Sequence, residues 1–331
     1  MKLKAAFFSA AITISFAQQA NALNIVLTND DGYATENIQT LFTKLTEAGH
    51  DVIMSAPCTG QSGKGGAVNF VKPVNVQQIT QDQHCVGDTD ETVPFKDFVE
   101  GTPVMAALYG IDVLAKSKWE AAPDLVISGP NEGNNLGYLT NNSGTLGAAN
   151  IAIARGIPAI AVSAATEDAE NAELVADAVL EIVDELIKKQ GRANRLLPEF
   201  TGLNVNTPED MSAHKGYKFS QVGWDSANID PVFMADLSQD DQIMAYVAQG
   251  ILAAGYAPDF ETALQIAKLQ YAGKAGISVD RSGTLVVDDH PYSEGNLWAQ
   301  GYITISTIEA NVQATFGKSL VTRFKLKGLQ K

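Results

Sequence analysis

The chain has 331 residues, 45% of them hydrophobic, with 38 acidic against 23 basic side chains and a formal charge of −15. That length and composition fit one large globular unit or two smaller ones. The acidic surface repels phosphate backbones and so argues against a nucleic-acid polymer as partner, while a small anionic substrate stays compatible because a metal ion and local amides can reverse the field inside one cleft.

Lys2 and Lys4 precede a largely apolar run from Ala5 to Phe16, and Ala20-Asn21-Ala22 supplies a small-x-small cleavage site. Residues 1–22 therefore read as a secretory signal peptide. The mature chain is expected to be exported, periplasmic or secreted, and two charges more negative once both lysines are gone. No later run approaches the ~18 apolar residues of a spanning helix, so no membrane anchor is expected.

Ile25, Val26 and Leu27 form a short apolar run, the pattern of a strand buried on both faces. It ends in Asn29-Asp30-Asp31-Gly32. Adjacent side chains on a strand point to opposite faces, so the two carboxylates converge only where the chain leaves the extended conformation. Gly32 permits that turn because it tolerates positive φ. Ile38, Leu41, Phe42 and Leu45 then recur at helical spacing. Paired carboxylates at the carboxyl end of a first strand suit a hard cation. By itself the segment reads better as an ordinary Asn-Asp-Asp-Gly turn.

His50 to Ala56 reads as a second strand, followed by the loop CTGQSGKGGAVNF (58–70), whose hydroxyls and free amides suit an anion or ion. Only Cys58 and Cys85 are present. Export permits a disulfide between them, and the sequence leaves the question open. Among His50, His84, His214 and His290 no paired zinc spacing occurs. Residues 71–100, with Val71, Val74 and Val76 apolar, suggest short strands or a hairpin. Thr102 as N-cap and Pro103 in the first position begin a helix expected to bury Met105, Leu108, Tyr109, Val113 and Leu114.

Pro123 to Ser128 is another buried strand, leading into GPNEGNNLG (129–137). Ser143 then caps a helix through LGAANIAIAR that stops at Gly156, and its exposed amides form a ready anion site. A strand at 157–163, a long amphipathic helix at 169–189 and a strand at 203–207 follow. The alternation implies a mostly parallel sheet covered on both faces. From about Ser212 the character changes: helices are expected at 238–256 and 259–271, a hairpin over 278–287 around Arg281-Ser282-Gly283, and a final strand at 301–308.

Four segments together carry a resemblance: NDDG (29–32), APCTGQSG (56–63), SGPNEGNNLG (128–137) and SGTLGAA (143–149). With looser matches at LNVNTP (203–208) and GYITIST (301–307), the chain resembles the SurE (survival protein E) family of metal-dependent phosphatases acting on nucleoside monophosphates. The resemblance implies an α/β fold, a Rossmann-like three-layer α/β/α arrangement with a mostly parallel sheet. It divides the chain into a signal peptide (1–22), a phosphatase core (23–211) and a C-terminal extension of helices and a hairpin (212–331). The extension holds an insertion at about 227–294 and a last strand that returns to the core.

The resemblance also carries metal ligands to Asp30, Asp31, Ser62 and Asn131, an all-oxygen set that favours magnesium, manganese or calcium over zinc, and the family's habit makes manganese or magnesium the expected ion. Asp30 and Asp31 are then the expected catalytic groups, and the helix amino end and asparagine loop, with Asn131, Asn135, Ser143, Gly144 and Thr145, are the expected phosphate contacts. The resemblance further implies a small phosphomonoester substrate and a homo-oligomer, dimer or tetramer. Met105 and Ala106 stand where the family commonly has Asp-Cys, and the 227–294 region is longer than the family pattern.

A second class of function uses the same loops: an exported protein that captures phosphate or another anion without turnover. Asp30 and Asp31 count against it, because their charge repels an anion unless a cation intervenes. A haloacid-dehalogenase phosphatase wants its aspartates two apart, and no Gly-x-Gly-x-x-Gly follows the first strand to suggest a nicotinamide enzyme.

Overall fold

In the computed structural model, which describes residues 22–89, 93–94, 97–166, 168–190, 195–227, 229–283 and 285–329, the first strand lies inside a nine-stranded sheet. Residues 1–21, nearly all of the expected signal peptide, fall outside the described residues. The order of elements begins with β1 (Asn24–Thr28), α1 (Glu36–Glu47), β2 (Asp51–Pro57), β3 (Val76–Gln78) and β4 (Gln83–Val86). Then come α2 (Pro103–Tyr109), α3 (Lys116–Trp119), β5 (Leu125–Glu132), α4 (Gly144–Ala154), β6 (Ala159–Ala164), α5 (Ala169–Lys188) and β7 (Thr201–Asn206). The C-terminal part supplies β8 (Tyr217–Ser220), β9 (Asp230–Met234), α6 (Asp241–Ala253), α7 (Phe260–Tyr271), β10 (Gly276–Asp280), α8 (Glu294–Ala299), β11 (Ile303–Glu309) and α9 (Phe316–Lys325).

The sheet runs β3-β4-β2-β1-β5-β6-β7-β11-β8. Its central strands are parallel, while β3 pairs antiparallel with β4 and β11 antiparallel with β7. The period of two along β1 builds the three layers. Ile25 and Leu27 pack with Ile38, Leu41 and Leu45 of α1 and Val175, Val179 and Val183 of α5. Val26 faces the other way, with Val126, Ile111 and the Leu146, Ala149 and Ile153 stripe of α4. Each of the buried leucine, isoleucine and valine side chains stabilises the fold by about 1.5–3 kcal/mol. Strand order reverses between β2 and β5 on either side of β1, the switch point where open α/β sheets place their ligands.

Two expectations are corrected and a third is met. The helix that starts at Pro103 does accept its cap, Met105 N–H donating to Thr102 Oγ1 at 3.3 Å, but its buried residues are Val104, Ala106 and Ala107, followed by Ile111 and Ala115. Small side chains let it lie close to the sheet, and a π-helical turn at Gly110–Ala115 shifts the phase, which leaves Val113 exposed. The short hairpin expected within 71–100 does form, β3 pairing antiparallel with β4, and it joins the sheet edge through Met54–Pro57, with Val71 and Val76 exposed. The hairpin expected over 278–287 does not form among the described residues: β10 pairs antiparallel with β9, which precedes α6 and α7. That small sheet and the α6–α7 pair stand apart from the main sheet, whereas β11 returns to it. Among the described residues no helix is long and apolar enough to cross a membrane, and α9 contains no buried residue.

Candidate active site

At the end of β1 the side chain of Asn29 closes the turn, its Nδ2 donating to Gly32 O at 2.8 Å and its Oδ1 accepting from Gly32 N–H at 3.2 Å. Gly32 adopts φ +115°, in the left-handed region that the turn requires. Asp30 is buried, and Asp31 is half-buried.

Two further loops are laid on this turn. Gln61 N–H donates to Asp30 O at 2.6 Å and Tyr33 N–H to Pro57 O at 3.0 Å, which seats the loop after β2 on the turn; Ser62, the residue after Gln61, is exposed. Cys58, at the root of that loop, is disulfide-bonded to Cys85 of β4, with Cα atoms 4.8 Å apart. From the end of β5, Glu132 N–H donates to Asp31 Oδ2 at 2.8 Å. Its neighbour Asn131 donates Nδ2 to the carbonyls of Glu132 (3.1 Å) and Gly133 (2.7 Å), which turns the amide oxygen into the end that can bind a cation.

The fourth part is the amino end of α4. Ser143 Oγ accepts from Leu146 N–H at 3.1 Å, a regular N-cap, and keeps its hydroxyl proton. Thr145 Oγ1 donates to Asp30 Oδ1 at 2.6 Å. The fit is close: a Cβ on Gly144 would stand 2.7 Å from Asp30 Cβ and 2.8 Å from Pro103 Cγ. Burial pushes the Asp30 carboxyl up, while Thr145 and the backbone N–H groups of Gly144 and Thr145 pull it down.

The donor chemistry fits a hard divalent cation. Asp30 is a buried carboxyl group with only neutral hydrogen-bond partners and no ion pair among the described residues. Buried acids are rarely left without a positive partner. The available donors are the two carboxylates, the Asn131 amide oxygen and the Ser62 hydroxyl, all oxygen, the set magnesium and manganese prefer. Among the described residues no cluster of three or more His, Cys, Asp or Glu side chains offers another metal nest.

All eight residues singled out from the sequence lie on this rim, but four of the five expected phosphate contacts act elsewhere. Asn135 donates Nδ2 to Ser163 Oγ (2.8 Å) and to Thr145 Oγ1 (3.2 Å). Its two amide protons are thereby committed within the protein. Thr145 gives its hydroxyl proton to Asp30, and the anion that the Gly144 and Thr145 amides meet is the Asp30 carboxylate. Asn131 likewise presents an acceptor, not a donor. Ser143 remains with a free hydroxyl proton, at the head of a cleft of about 990 Å³ lined also by Thr140, Asn141, Gly147, Asn150 and Thr307.

Sequence reasoning missed Ser163, Asn204 and Asn206 beneath the site. Asn204 and Asn206 are both fully buried on β7, and Asn206 Oδ1 accepts from Asn135 N–H at 2.8 Å. The available signal was two asparagines at i and i+2, on one face of an otherwise apolar strand.

The Survival protein SurE family model matches residues 25–228, more than half of the chain. The chain belongs to the SurE family. An acid phosphatase of Yarrowia lipolytica is 37% identical over 203 residues, a match that spans 56% of each protein. A 5′-nucleotidase SurE of Thermosipho melanesiensis is 35% identical over 201 residues, 60% of this chain and 71% of that one. The crystal structure of the SurE protein from Aquifex aeolicus superimposes with a TM-score of 0.63 at 25% identity, over 92% of this chain and 99% of that one. The family fold thus reaches well past the region of clear sequence likeness.

Proposed function

We propose that this phosphoric monoester hydrolase requires a divalent cation, manganese or magnesium, and releases phosphate from nucleoside 5′- or 3′-monophosphates. The observation that carries the reading is the meeting of Asp30, Asp31, Asn131 and the head of α4 at one rim of the sheet. Relatives named 5′-nucleotidase and acid phosphatase support the same chemistry.

When bound, the ion supplies a Lewis acid that polarises a phosphoryl oxygen and acidifies water. Asp30, Asp31, Asn131 and Ser62 are the residues that would hold it. Asp30 is fixed by Thr145 and the α4 amides, so its carboxylate is set in place before substrate arrives. Asp31, half-buried at the mouth, is the carboxylate with access to water and the one assigned to take its proton. Ser143 donates its hydroxyl to a phosphate oxygen, and the cleft along α4 receives the leaving group.

A protein that only captured anions would have little use for a buried acid at this position. Phosphate release from nucleotides and simple phosphomonoesters, run with chelator and then with manganese or magnesium restored, tests the reading. Tight phosphate binding with no turnover in any metal would replace it with the capture function.

A further inference from the structure

Glu294, at the start of α8, is fully buried and lies outside the rim. Its Oε1 accepts from Gly137 N–H at 3.0 Å and from Asn204 Nδ2 at 3.2 Å. Its Oε2 accepts from Asn204 Nδ2 at 3.0 Å and from the Ser306 hydroxyl at 2.9 Å. Glutamate is almost never buried without a partner charge, yet every hydrogen-bond partner of this one is neutral. What such a group gives its surroundings is a fixed anchor: its two oxygens tie Gly137 of the loop, Asn204 of β7 and Ser306 of β11 together.

From Glu294 the bonds run without a break to the active site. Asn204 Nδ2 also donates to Asn135 O at 3.0 Å, so one amide joins the two residues. Asn206 holds the same peptide from the other side, accepting from Asn135 N–H at 2.8 Å and donating to Asn135 O at 3.2 Å. The Asn135 side chain reaches Thr145 Oγ1 at 3.2 Å, and Thr145 reaches Asp30 Oδ1 at 2.6 Å. A hydroxyl has one proton. Asn135 Nδ2 can only donate, so Thr145 accepts from it and keeps its own proton for Asp30, and holding the Asn135 peptide in place holds that geometry.

We propose that Glu294 is a positioning residue for the reaction, acting through Gly137, Asn204, Asn135 and Thr145 to fix the Asp30 carboxylate. It rests on the assignment of Asp30 to the phosphomonoesterase site. The C-terminal extension thereby completes an active site whose reacting groups all come from the first half of the chain: Glu294 is 157 residues from Gly137.

The test compares Glu294→Met, which keeps the volume and removes every acceptor, with Glu294→Gln, which keeps one oxygen for Gly137 and Asn204. Residues that orient metal ligands typically contribute 10- to 100-fold to activity or metal affinity. The Met variant is expected to lose kcat by roughly that factor with KM little changed, and the Gln variant to recover most of it. In a Thr145→Val background, where the last link is already cut, adding Glu294→Met should lower kcat no further. Amide hydrogen exchange gives a readout independent of turnover: the Met variant should lose protection at Gly144 and Thr145 as well as at 135–137. Should that variant be too unstable to study, Ser306→Ala removes one bond to Glu294, and the same exchange pattern is expected at smaller size. Equal activity of the Met and Gln variants, additive losses with Thr145→Val, or exchange changes confined to Gly137 and 294–306 would overturn the proposal. If the unmodified protein released no phosphate from any monoester, the phosphatase reading would fail while exchange still decided the relay.

Discussion

Thr145 and Asp30 are 115 residues apart in the chain and 2.6 Å apart in space, the threonine hydroxyl donating to the carboxylate. That bond ties the head of α4 to the end of β1, so the site is held by the two elements that build its walls. Thr145→Val keeps the shape and removes the donor. Manganese affinity, measured by titration calorimetry, should fall by roughly 10- to 100-fold, with Thr145→Ser close to the parent. Unchanged affinity in the valine variant would show that Asp30 needs no such support.

Gly144 admits no side chain, since a Cβ there would lie 3.0 Å from Asp30 Oδ2 and closer still to Asp30 Cβ and Pro103 Cγ. Gly144→Ala must push Asp30 or α2 aside. The expected outcome is a loss of about 1–3 kcal/mol in chemical denaturation, as for other overpacked sites, and a fall in kcat well beyond what the stability change explains. A fully active alanine variant would mean that the carboxylate can move without consequence.

The core of the fold was legible because its signals are local. Ile25, Val26 and Leu27 announce a strand buried on both faces, and Thr102 and Ser143 both cap their helices as their positions suggest. Asp30, Asp31 and Gly32 declared a turn. What decides their chemistry, the approach of Gln61, Glu132 and Thr145, is long-range and has no local trace. For that reason the α4 amides looked like a free phosphate cradle, when they face Asp30. The partner of β10 was missed in the same way: β9 lies some forty residues upstream, across two helices, while the turn residues Arg281-Ser282-Gly283 offered a nearer but wrong one. Glu294 read as one more acid in a polar stretch, because nothing in its neighbours foretells burial against β7 and β11.

Burial pushes the Glu294 carboxyl from its ordinary 4.5 up to about 8. The Ser306 and Ser220 hydroxyls, 2.8 Å apart with either able to donate, can serve both the charged and the neutral form. The folded state therefore holds a proton that the unfolded state releases between those values, and stability falls as pH rises from about 4.5 through about 8. Each tenfold difference in proton affinity between the two states corresponds to about 1.4 kcal/mol. In chelator, Glu294→Gln should match the parent near pH 5 and exceed it by a few kcal/mol near pH 9. Parallel stability curves for the two proteins would contradict the burial argument.

The Cys58–Cys85 bond closes a loop between residues 27 apart in sequence, at the root of the segment that carries Gln61 and Ser62. Replacing both cysteines by alanine should lower stability by about 2–4 kcal/mol. It should also weaken manganese binding, because the root of the loop that carries Ser62 loses its covalent tie to β4 and keeps only backbone hydrogen bonds such as Cys58 N–H to Val86 O and Gln61 N–H to Asp30 O. Calorimetry of the double variant reads both effects. Loss of stability with intact affinity would show that the loop is fixed without the bond.

The most direct measurement is phosphate release from nucleoside monophosphates by the protein and its Asp31→Asn variant, in chelator and after manganese or magnesium is returned. Turnover that vanishes in chelator, returns with the metal, and drops by roughly 100-fold or more in the variant is expected, the scale on which losing an electrostatic group at a reacting centre acts. Turnover that ignores the chelator, or a folded Asp31→Asn protein as active as its parent, would contradict a cation held by these acids.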